Sequence, residues 1–218
     1  MNARVLNERL QRTLPGARVV ATRPSGCREI LLYLFDPEGL QGPLSHDTAQ
    51  AVVAEPAYWS FCWASGQALA AYILQNPATV AGKRVIDFGS GSGVVAVAAA
   101  IAGACEVVGC DIDENARLAI AANASLNQVE VTVSSDWFLR LGDVDVVTAA
   151  DVLYDRDNRD FLQHFCGAAP DVLLADSRIK DLADDRYQLQ ATVDGRTWPD
   201  LQEFEEFNTV RIYRARRG

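Results

Sequence analysis

A short apolar strand followed by three glycines at alternate positions constrains the fold of this chain more than any other feature. The predicted strand covers residues 84–88, the glycines are Gly89, Gly91 and Gly93, and small apolar residues fill positions 94–102. Strand, glycine turn and helix form the opening unit of a nucleotide-type α/β fold. Glycine suits the turn because the chain bends tightly there and a ligand must approach bare backbone. The first N–H groups of the helix then point toward that ligand.

The spacing of these glycines discriminates between ligands. A dinucleotide-binding turn has the pattern G-x-G-x-x-G, but Val94 stands at the position of its third glycine. No Lys-Ser or Lys-Thr pair follows the turn, which excludes a phosphate-binding P-loop. Asp87, two residues before the first glycine, completes the pattern D-x-G-x-G-x-G. The alternative interpretation is a strand-to-helix turn of another doubly wound protein.

The completed pattern resembles motif I of the class I, or seven-β-strand, S-adenosylmethionine-dependent methyltransferases. The resemblance implies S-adenosyl-L-methionine as the cofactor, with the turn against its methionine and ribose parts. It also implies an α/β fold: a Rossmann-like seven-stranded sheet with helices on both faces and, in this chain, an N-terminal α/β extension. The turn residues that it assigns to cofactor binding are Asp87, Gly89, Ser90, Gly91 and Gly93.

Residues after the next strands extend this predicted cofactor site. Glu106–Cys110 is predicted as the second strand, and Asp111, about twenty residues after the glycines, is placed to accept hydrogen bonds from ribose hydroxyls. The methyltransferase resemblance places Asp136 and Trp137, which follow the third strand, at the adenine. A turn residue and a core anchor are the respective alternatives for these two positions. Ala150, at the end of the fourth strand, is the last residue assigned to the cofactor.

An aromatic segment lies one predicted helix before the glycine turn. Four aromatic residues fall between Tyr58 and Trp63, and clusters of this kind more often pack in a core than contact a cofactor. Here the segment resembles the W-x-x-(G/A) segment of the lysine-directed methyltransferases called family 16, in which the tryptophan lies against the cofactor. Trp63 is the matching residue and is assigned to cofactor binding, whereas Trp59 is not.

The string Asp151-Val152-Leu153-Tyr154 follows the fourth strand, at the end where open α/β sheets bind ligands. It resembles the D/E-x-x-Y/F motif of family 16, whose acid and aromatic residue line the channel for the target amine. Asp151 and Tyr154 are therefore the expected catalytic residues. A lysine attacks as the neutral amine although its free pKa is about 10.4, and a nearby carboxylate raises that pKa further. We therefore expect Asp151 to capture and orient the amine and Tyr154 to contact the alkyl stem.

A longer likeness indicates the substrate. The run from Pro56 to Leu69 resembles the P-Y-W-x-F-x-W-x-x-G-Q-A-L segment of the family 16 enzymes that methylate the electron transfer flavoprotein β subunit, with Ala57 as an interruption. It implies a protein-lysine N-methyltransferase with that subunit as its partner. Two alternatives stay open. One is a methyltransferase of another protein, such as a ribosomal protein, or of a small amine, and the other is a non-catalytic binding module.

The composition is that of a globular chain with an acidic surface. Of 218 residues, 49% are apolar and 22% are charged, which is ordinary for soluble proteins. We expect one compact unit in which residues 1–55 form the N-terminal extension and residues 56–218 form the methyltransferase domain. The net charge of −9 disfavours nucleic acid as a partner. It suits a basic partner better, although acidity also serves solubility.

The cysteine and histidine content argues against structural cross-links. Five cysteines without a C-x-x-C and only two histidines predict neither a disulfide framework nor a metal site. Scattered thiols indicate a reducing compartment, and no uninterrupted apolar run reaches the length of a membrane span. We expect no membrane partner and a cytoplasmic location for a bacterial-type chain, or an organelle matrix for a eukaryotic one. A monomer is also expected.

Hydrophobic periodicity predicts the remaining elements. Before the aromatic segment these are a helix over residues 2–13, a strand over 29–35 and a helix from 47. After the fourth strand they are a helix over 156–166, a strand over 171–178, a charged helix over 179–189 and two strands over 191–198 and 207–213. The last two strands form a terminal antiparallel hairpin that completes the seven-stranded sheet.

Overall fold

The computed structural model describes residues 3–39, 45–136, 143–153, 158, 160–201 and 204–217. The α-helices of this part are α1 (Ala3–Thr13), α2 (His46–Ala54), α3 (Ala64–Gln75), α4 (Val94–Ile101), α5 (Glu114–Leu126) and α6 (Phe161–Ala168). Its strands are β1 (Val19–Thr22), β2 (Leu32–Phe35), β3 (Arg84–Phe88), β4 (Glu106–Cys110), β5 (Thr132–Ser134), β6 (Val146–Ala150), β7 (Asp171–Asp176), β8 (Tyr187–Asp194) and β9 (Thr209–Arg216).

A seven-stranded sheet forms the centre of the fold. Its strand order is β5-β4-β3-β6-β7-β9-β8. The first five strands of this order are parallel, and β9 runs antiparallel to both of its neighbours. The chain leaves β3 toward β4 on one side and later returns to pair β6 on the other, which creates a topological switch point at the carboxyl ends of these strands. The predicted α/β fold is confirmed.

Helices cover both faces of the sheet because successive strand residues point to opposite sides. Val85 of β3 packs in one buried cluster with residues of α3 and α4. The next residue, Ile86, packs in a second cluster with Phe165 of α6. Both faces of the parallel strands are therefore apolar, as expected for a sheet that is buried between two helical layers.

The N-terminal extension packs on α5 through side-chain amides. Asn123 accepts a hydrogen bond from the Tyr33 backbone N–H at 2.8 Å. Asn127 accepts one from the Leu31 N–H at 2.9 Å and donates one to the Leu31 carbonyl at 2.6 Å. Residues of α1 share a buried apolar cluster with Trp59 and the alanines of α5. The strands β1 and β2 pair antiparallel in this extension.

The predicted helix over residues 179–189 is wrong. Tyr187–Asp194 forms β8, which pairs antiparallel with β9. Tyr187 is buried and its hydroxyl donates to the Leu162 carbonyl at 2.8 Å. The charged residues before Tyr187 have the pattern of a solvent-exposed helix. The pairing with β9 is a long-range contact, which local periodicity does not reveal. Strand β1 is not predicted from the sequence either, because its four residues are too few to show a periodic pattern.

The helix predicted over residues 156–166 begins later. Among the described residues it covers Phe161–Ala168, while residues 154–157 and 159 lie outside them. Within the described part of the chain, no helix is long and apolar enough to cross a membrane. The same part contains no group of three or more His, Cys, Asp or Glu side chains arranged to hold a metal ion.

Asn123 provides a test of how the extension is attached. Its buried side chain also donates to the Ser92 carbonyl at 2.8 Å, so Asn123→Ala leaves two backbone groups without their partner. We expect the free energy of unfolding to fall by about 2–4 kcal/mol, as measured by urea denaturation. Asn76→Ala, which removes an exposed bond to the Tyr72 carbonyl, is the control and changes it by less than about 1 kcal/mol. Equal losses in both variants contradict the prediction.

Candidate functional site

The glycine turn after β3 places bare backbone at the carboxyl edge of the sheet. Gly89, Gly91 and Gly93 have φ values of +64°, +53° and +80°, in the left-handed region that favours glycine. A Cβ on Gly89 would lie 2.8 Å from Val152 Cγ1, and one on Gly93 would lie 3.1 Å from the Ile120 Cα. Conformation and packing therefore both require glycine at the first and third positions.

Asp87 supports this turn from inside the protein. Its carboxylate is buried and accepts hydrogen bonds from Ser90 Oγ at 2.5 Å and from Thr148 Oγ1 at 2.8 Å. Burial raises the pKa of Asp87 to about 6, because desolvation disfavours the charged form. Since Thr148 belongs to β6, this one carboxylate joins the glycine turn to both strands of the switch point.

Asp111 supports the same turn from the next strand. One of its oxygens accepts a hydrogen bond from the Gly91 N–H at 2.9 Å, and the other accepts one from the Asp113 N–H at 3.0 Å. Burial is the main cause of its raised pKa. A carboxylate offers about four acceptor positions, so the two oxygens retain capacity for hydroxyl donors. Asp111 thus lies beside the turn with an arrangement that suits a ribose.

Asp151 closes the other side of the switch point. Its φ of +51° is unusual for a residue with a side chain, although aspartate tolerates this region better than most. Oδ1 accepts hydrogen bonds from Ser65 Oγ at 2.5 Å, from Ser177 Oγ at 3.0 Å and from the Ser177 N–H at 3.3 Å. Oδ2 accepts one from the Ser65 N–H at 3.2 Å. Burial is the largest influence on the pKa of Asp151 and raises it.

These bonds form a clamp between three elements. Ser65 lies in the first turn of α3, Asp151 follows β6, and Ser177 follows β7. Neither serine is among the residues that the sequence predicts for the site. Ser177 could have been found from its place at the carboxyl end of a central strand, where ligands bind in this fold class. Ser65 carries no local signal, because only the tertiary structure brings α3 to the end of β6.

The aromatic segment leads into this clamp. Trp63 is the N-cap residue of α3 and lies two positions before Ser65. Its indole N–H donates to the Tyr58 carbonyl at 3.1 Å, and its ring meets the Tyr58 ring edge-on with centroids 5.7 Å apart. Trp59 is instead buried with Leu6 in the cluster that joins α1 to α5. The segment therefore divides into a tryptophan near the site and one in the core.

Two other residues predicted for the site, Asp136 and Ala150, lie at the same edge of the sheet. Asp136 belongs to a turn after β5, where its carbonyl accepts a hydrogen bond from Ser134 Oγ at 2.9 Å. The Ser134 carbonyl in turn accepts from the Asp111 N–H at 3.1 Å, which brings this turn next to Asp111. Ala150 ends β6 and pairs with Ala175. Trp137 and Tyr154 lie outside the described residues, and all the assigned roles stay predictions.

Sequence comparison relates this edge of the sheet to known methyltransferases. Residues 67–155 match the family described as ribosomal protein L11 methyltransferase (PrmA). The electron transfer flavoprotein beta subunit lysine methyltransferase of Mus musculus is 41% identical over 108 residues, which cover 48% of this chain and 42% of the relative. The chain therefore spans less than half the length of the curated relatives of this type that it matches.

Solved structures agree on the fold. The magnesium protoporphyrin IX methyltransferase of Synechocystis PCC 6803, solved with bound SAM, has a TM-score of 0.53 and 20% identity, covering 82% of this chain and 87% of that one. The ribosomal protein L11 methylase of Lactobacillus delbrueckii subsp. bulgaricus has a TM-score of 0.53 and 22% identity, covering 71% and 79%. The fold is that of the class I methyltransferases, and the resemblance found in the motifs is confirmed.

Titration of the buried Asp87 carboxyl should make the free energy of unfolding depend on pH. Because its pKa rises from 3.8 to about 6 on folding, the folded chain binds more protons there than the unfolded chain between these values. The stability contributed by this group therefore falls as the pH rises from about 4 to about 6. We expect the free energy of unfolding of the wild type, minus that of Asp87→Asn, to fall by on the order of 3 kcal/mol between pH 4 and 7.

Urea denaturation across this pH range measures the difference. Asp145→Asn is the control, because a hydrogen bond from Arg84 lowers the pKa of Asp145 instead of raising it. The stability contributed by Asp145 rises with pH only below the unfolded pKa of about 3.9, so the corresponding difference for this variant stays nearly flat between pH 4 and 7. A flat difference for Asp87→Asn would show that the buried carboxyl titrates alike in both states.

Proposed function

We propose that this protein is an S-adenosylmethionine-dependent methyltransferase whose cofactor lies across the carboxyl ends of β3, β4 and β6. The observation that carries the proposal is the pairing of the bare turn with Asp111, whose carboxylate holds the Gly91 N–H at 2.9 Å. The fit of the residues supports it. Three positive φ values open the backbone of the turn, and the neighbouring carboxylate can accept hydroxyl donors.

The predicted residues divide into two roles in this proposal. Asp111, the glycine turn and the turn around Asp136 hold the ribose, methionine and adenine parts of the cofactor, with Trp137 beside the adenine. Trp63 contacts the cofactor from the start of α3. Asp87 and Ser90 act from beneath the turn, because their side chains bind each other. Ala150 ends the strand that precedes Asp151.

We further propose that the substrate is a protein lysine, and specifically a lysine of the electron transfer flavoprotein β subunit. The 41% identity to the mouse methyltransferase of that name supports this choice. The clamp supports it independently. Among the described residues Asp151 Oδ2 accepts one hydrogen bond, whereas Oδ1 accepts three. An oxygen with one bond retains an acceptor position for an ammonium or amine N–H.

In this methyl transfer the protein contributes mainly by orienting the two reactants and excluding water, and less by acid–base catalysis. When bound, the cofactor supplies a methyl group on a sulfonium, so that the C–S bond breaks as the amine nitrogen forms its new C–N bond. Asp151 orients the amine through Oδ2, and Ser65 and Ser177 hold the carboxylate in place. The lysine ammonium loses a proton to water before the neutral amine attacks. Asp151 is not the base in this proposal, because a carboxylate favours the charged ammonium. Tyr154 contacts the alkyl stem in this proposal.

A second candidate substrate has its own support. Residues 67–155 match the ribosomal protein L11 methyltransferase family, so a ribosomal protein is the alternative to the flavoprotein subunit. Incubation with tritiated S-adenosylmethionine and each purified protein distinguishes them. Mass spectrometry of the labelled protein then shows whether lysine carries the methyl group. Methylation of the flavoprotein subunit alone supports the first proposal, and methylation of L11 alone replaces it with the second.

Gly91→Ala tests cofactor binding at the turn. Gly91 has a φ of +53°, and among the described residues a Cβ there would meet only the Gly89 carbonyl oxygen, at 3.9 Å, so the fold tolerates it apart from backbone strain. The added methyl group takes space that a ligand needs beside the turn. We expect the Kd for S-adenosylmethionine to rise at least tenfold by calorimetry. Gly82→Ala, with a φ of +70° and no atom of the described part of the chain within 4 Å of the added Cβ, is the matched control with unchanged affinity. Equal affinity in both variants contradicts the proposal.

Asp151→Asn tests the proposed capture of the amine. Asparagine tolerates the left-handed backbone, and its one oxygen can accept from Ser65 Oγ and Ser177 as Oδ1 does, but its NH2 group cannot accept from the Ser65 N–H and it lacks the charge. We expect kcat for protein methylation to fall at least tenfold while cofactor affinity stays near wild type and the free energy of unfolding falls by about 1–3 kcal/mol. Ser177→Ala, which removes the 3.0 Å bond but keeps the charge, is the control and retains most activity. Full activity of Asp151→Asn would contradict the proposed role of Asp151 in orienting the amine.

A further inference from the structure

The rim of the site exposes apolar side chains on two adjoining segments. In the described part of the chain, Phe204 is 78% exposed, Tyr58 54%, Leu201 43% and Trp198 36%. Tyr58 belongs to the aromatic segment. The other three belong to the connection between β8 and β9, residues 195–208, here called the hairpin loop. Exposed apolar groups that gather in one region commonly mark an interaction surface.

The hairpin loop is fixed directly to the start of α3. The backbone N–H of Cys62 donates to the Trp198 carbonyl at 2.8 Å, and the Trp198 N–H donates to the Cys62 carbonyl at 2.8 Å. The buried Gln67 amide donates to the Cys62 carbonyl at 2.8 Å and to the Arg196 carbonyl at 2.6 Å. The hairpin loop therefore lies directly against the aromatic segment that carries Trp63.

The far end of the hairpin loop is held beside the clamp. The Arg178 guanidinium lies over the Phe207 ring, 4.5 Å from its centroid. Arg178 follows Ser177 directly, and Ser177 donates two hydrogen bonds to Asp151. At the other end, Gly195 packs against Ala64, the residue before Ser65. Both ends of the loop thus adjoin residues next to the two serines that hold Asp151.

The charge of this region selects the chemistry of its occupant. Residues 194–206 carry five carboxylates and one guanidinium, that of Arg196, which pairs with Asp200 at 3.7 Å. Arg178 adds one positive charge beside Phe207, so the region stays negative, as does the whole chain with its net charge of −9. Of the described carboxylates, Asp194, Asp200 and Glu205 are exposed. Complementary potentials favour association, so the fitting surface is basic with apolar side chains. Nucleic acid and anionic lipid both carry the same sign of charge as this region and are disfavoured.

We propose that Tyr58, Trp198, Leu201 and Phe204 form a docking surface for a basic, lysine-bearing segment of the protein substrate. This docking surface rests on the proposed function, and it would explain how the enzyme selects its protein substrate. Apolar anchors supply contact area, since a few large side chains carry most of the energy of an interface. The surrounding carboxylates attract the basic segment and reject acidic ones. The docked segment presents a lysine toward Asp151.

Two variants with matched controls test the docking surface. The double variant Leu201→Ala/Phe204→Ala removes apolar anchors, and Val53→Ala on α2, 82% exposed, is its control. Glu205→Lys reverses a charge on the loop, and Glu38→Lys, exposed in the turn after β2, is its control. Each protein is first titrated with S-adenosylmethionine by calorimetry. Each is then incubated with tritiated S-adenosylmethionine and either purified flavoprotein β subunit or a bacterial extract freed of small molecules, and protein and nucleic-acid fractions are counted separately.

We expect label in protein, with kcat/KM lowered at least fivefold in both loop variants through a higher KM, and unchanged in both controls. Cofactor affinity stays at the wild-type value in all five proteins. Equal labelling of protein by loop variants and controls overturns the docking surface but leaves the proposed function intact. Label only in nucleic acid, or none in protein, also overturns it. The calorimetry then shows whether the methyltransferase proposal fails as well, because that proposal requires cofactor binding by the wild type.

Discussion

A short backbone turn held between the buried Asp87 carboxylate and the half-buried Asp111 carboxylate is the constraint on which this structure depends. Asp87 binds Ser90 within the turn, and Asp111 binds the Gly91 N–H from the next strand. Backbone with positive φ at three alternate residues is not stable by itself in an ordinary chain, so its shape comes from these contacts and from close packing against α5. The turn is consequently rigid before any ligand arrives, which lowers the entropic cost of binding.

The same design recurs along the carboxyl edge of the sheet. Asp87, Asp111, Asp151 and Asp176 stand at or just after the ends of four neighbouring strands, and burial raises the pKa of each. Each accepts hydrogen bonds from protein groups around it, which offset part of the cost of desolvation. Concentrated negative charge of this kind stabilises a cation brought into the crevice. A sulfonium cofactor and a lysine amine both suit such a setting.

Local patterns in the sequence predict the first half of the sheet and the position of the glycine turn and Asp111 at its carboxyl edge. The glycine turn and Asp111 follow from residue types at fixed spacing, because a strand, a turn and a helix are contiguous in the chain. Long-range contacts decide the rest. Residues around Tyr187 have the charge pattern of a helix, yet pairing with β9 makes them a strand. The clamp of Ser65 and Ser177 joins positions more than a hundred residues apart, and only the packing of α3 over the sheet reveals it.

We propose that the crevice at the ends of β3, β4 and β6 holds a methyl-donor cofactor. The decisive measurement is a crystal structure of the protein soaked with S-adenosylhomocysteine, the product form of that cofactor. We expect density for the ligand against the backbone of Gly89–Gly93, with its ribose hydroxyls within hydrogen-bond distance of Asp111. Density at another place on the protein, or a ribose that does not reach Asp111, contradicts it.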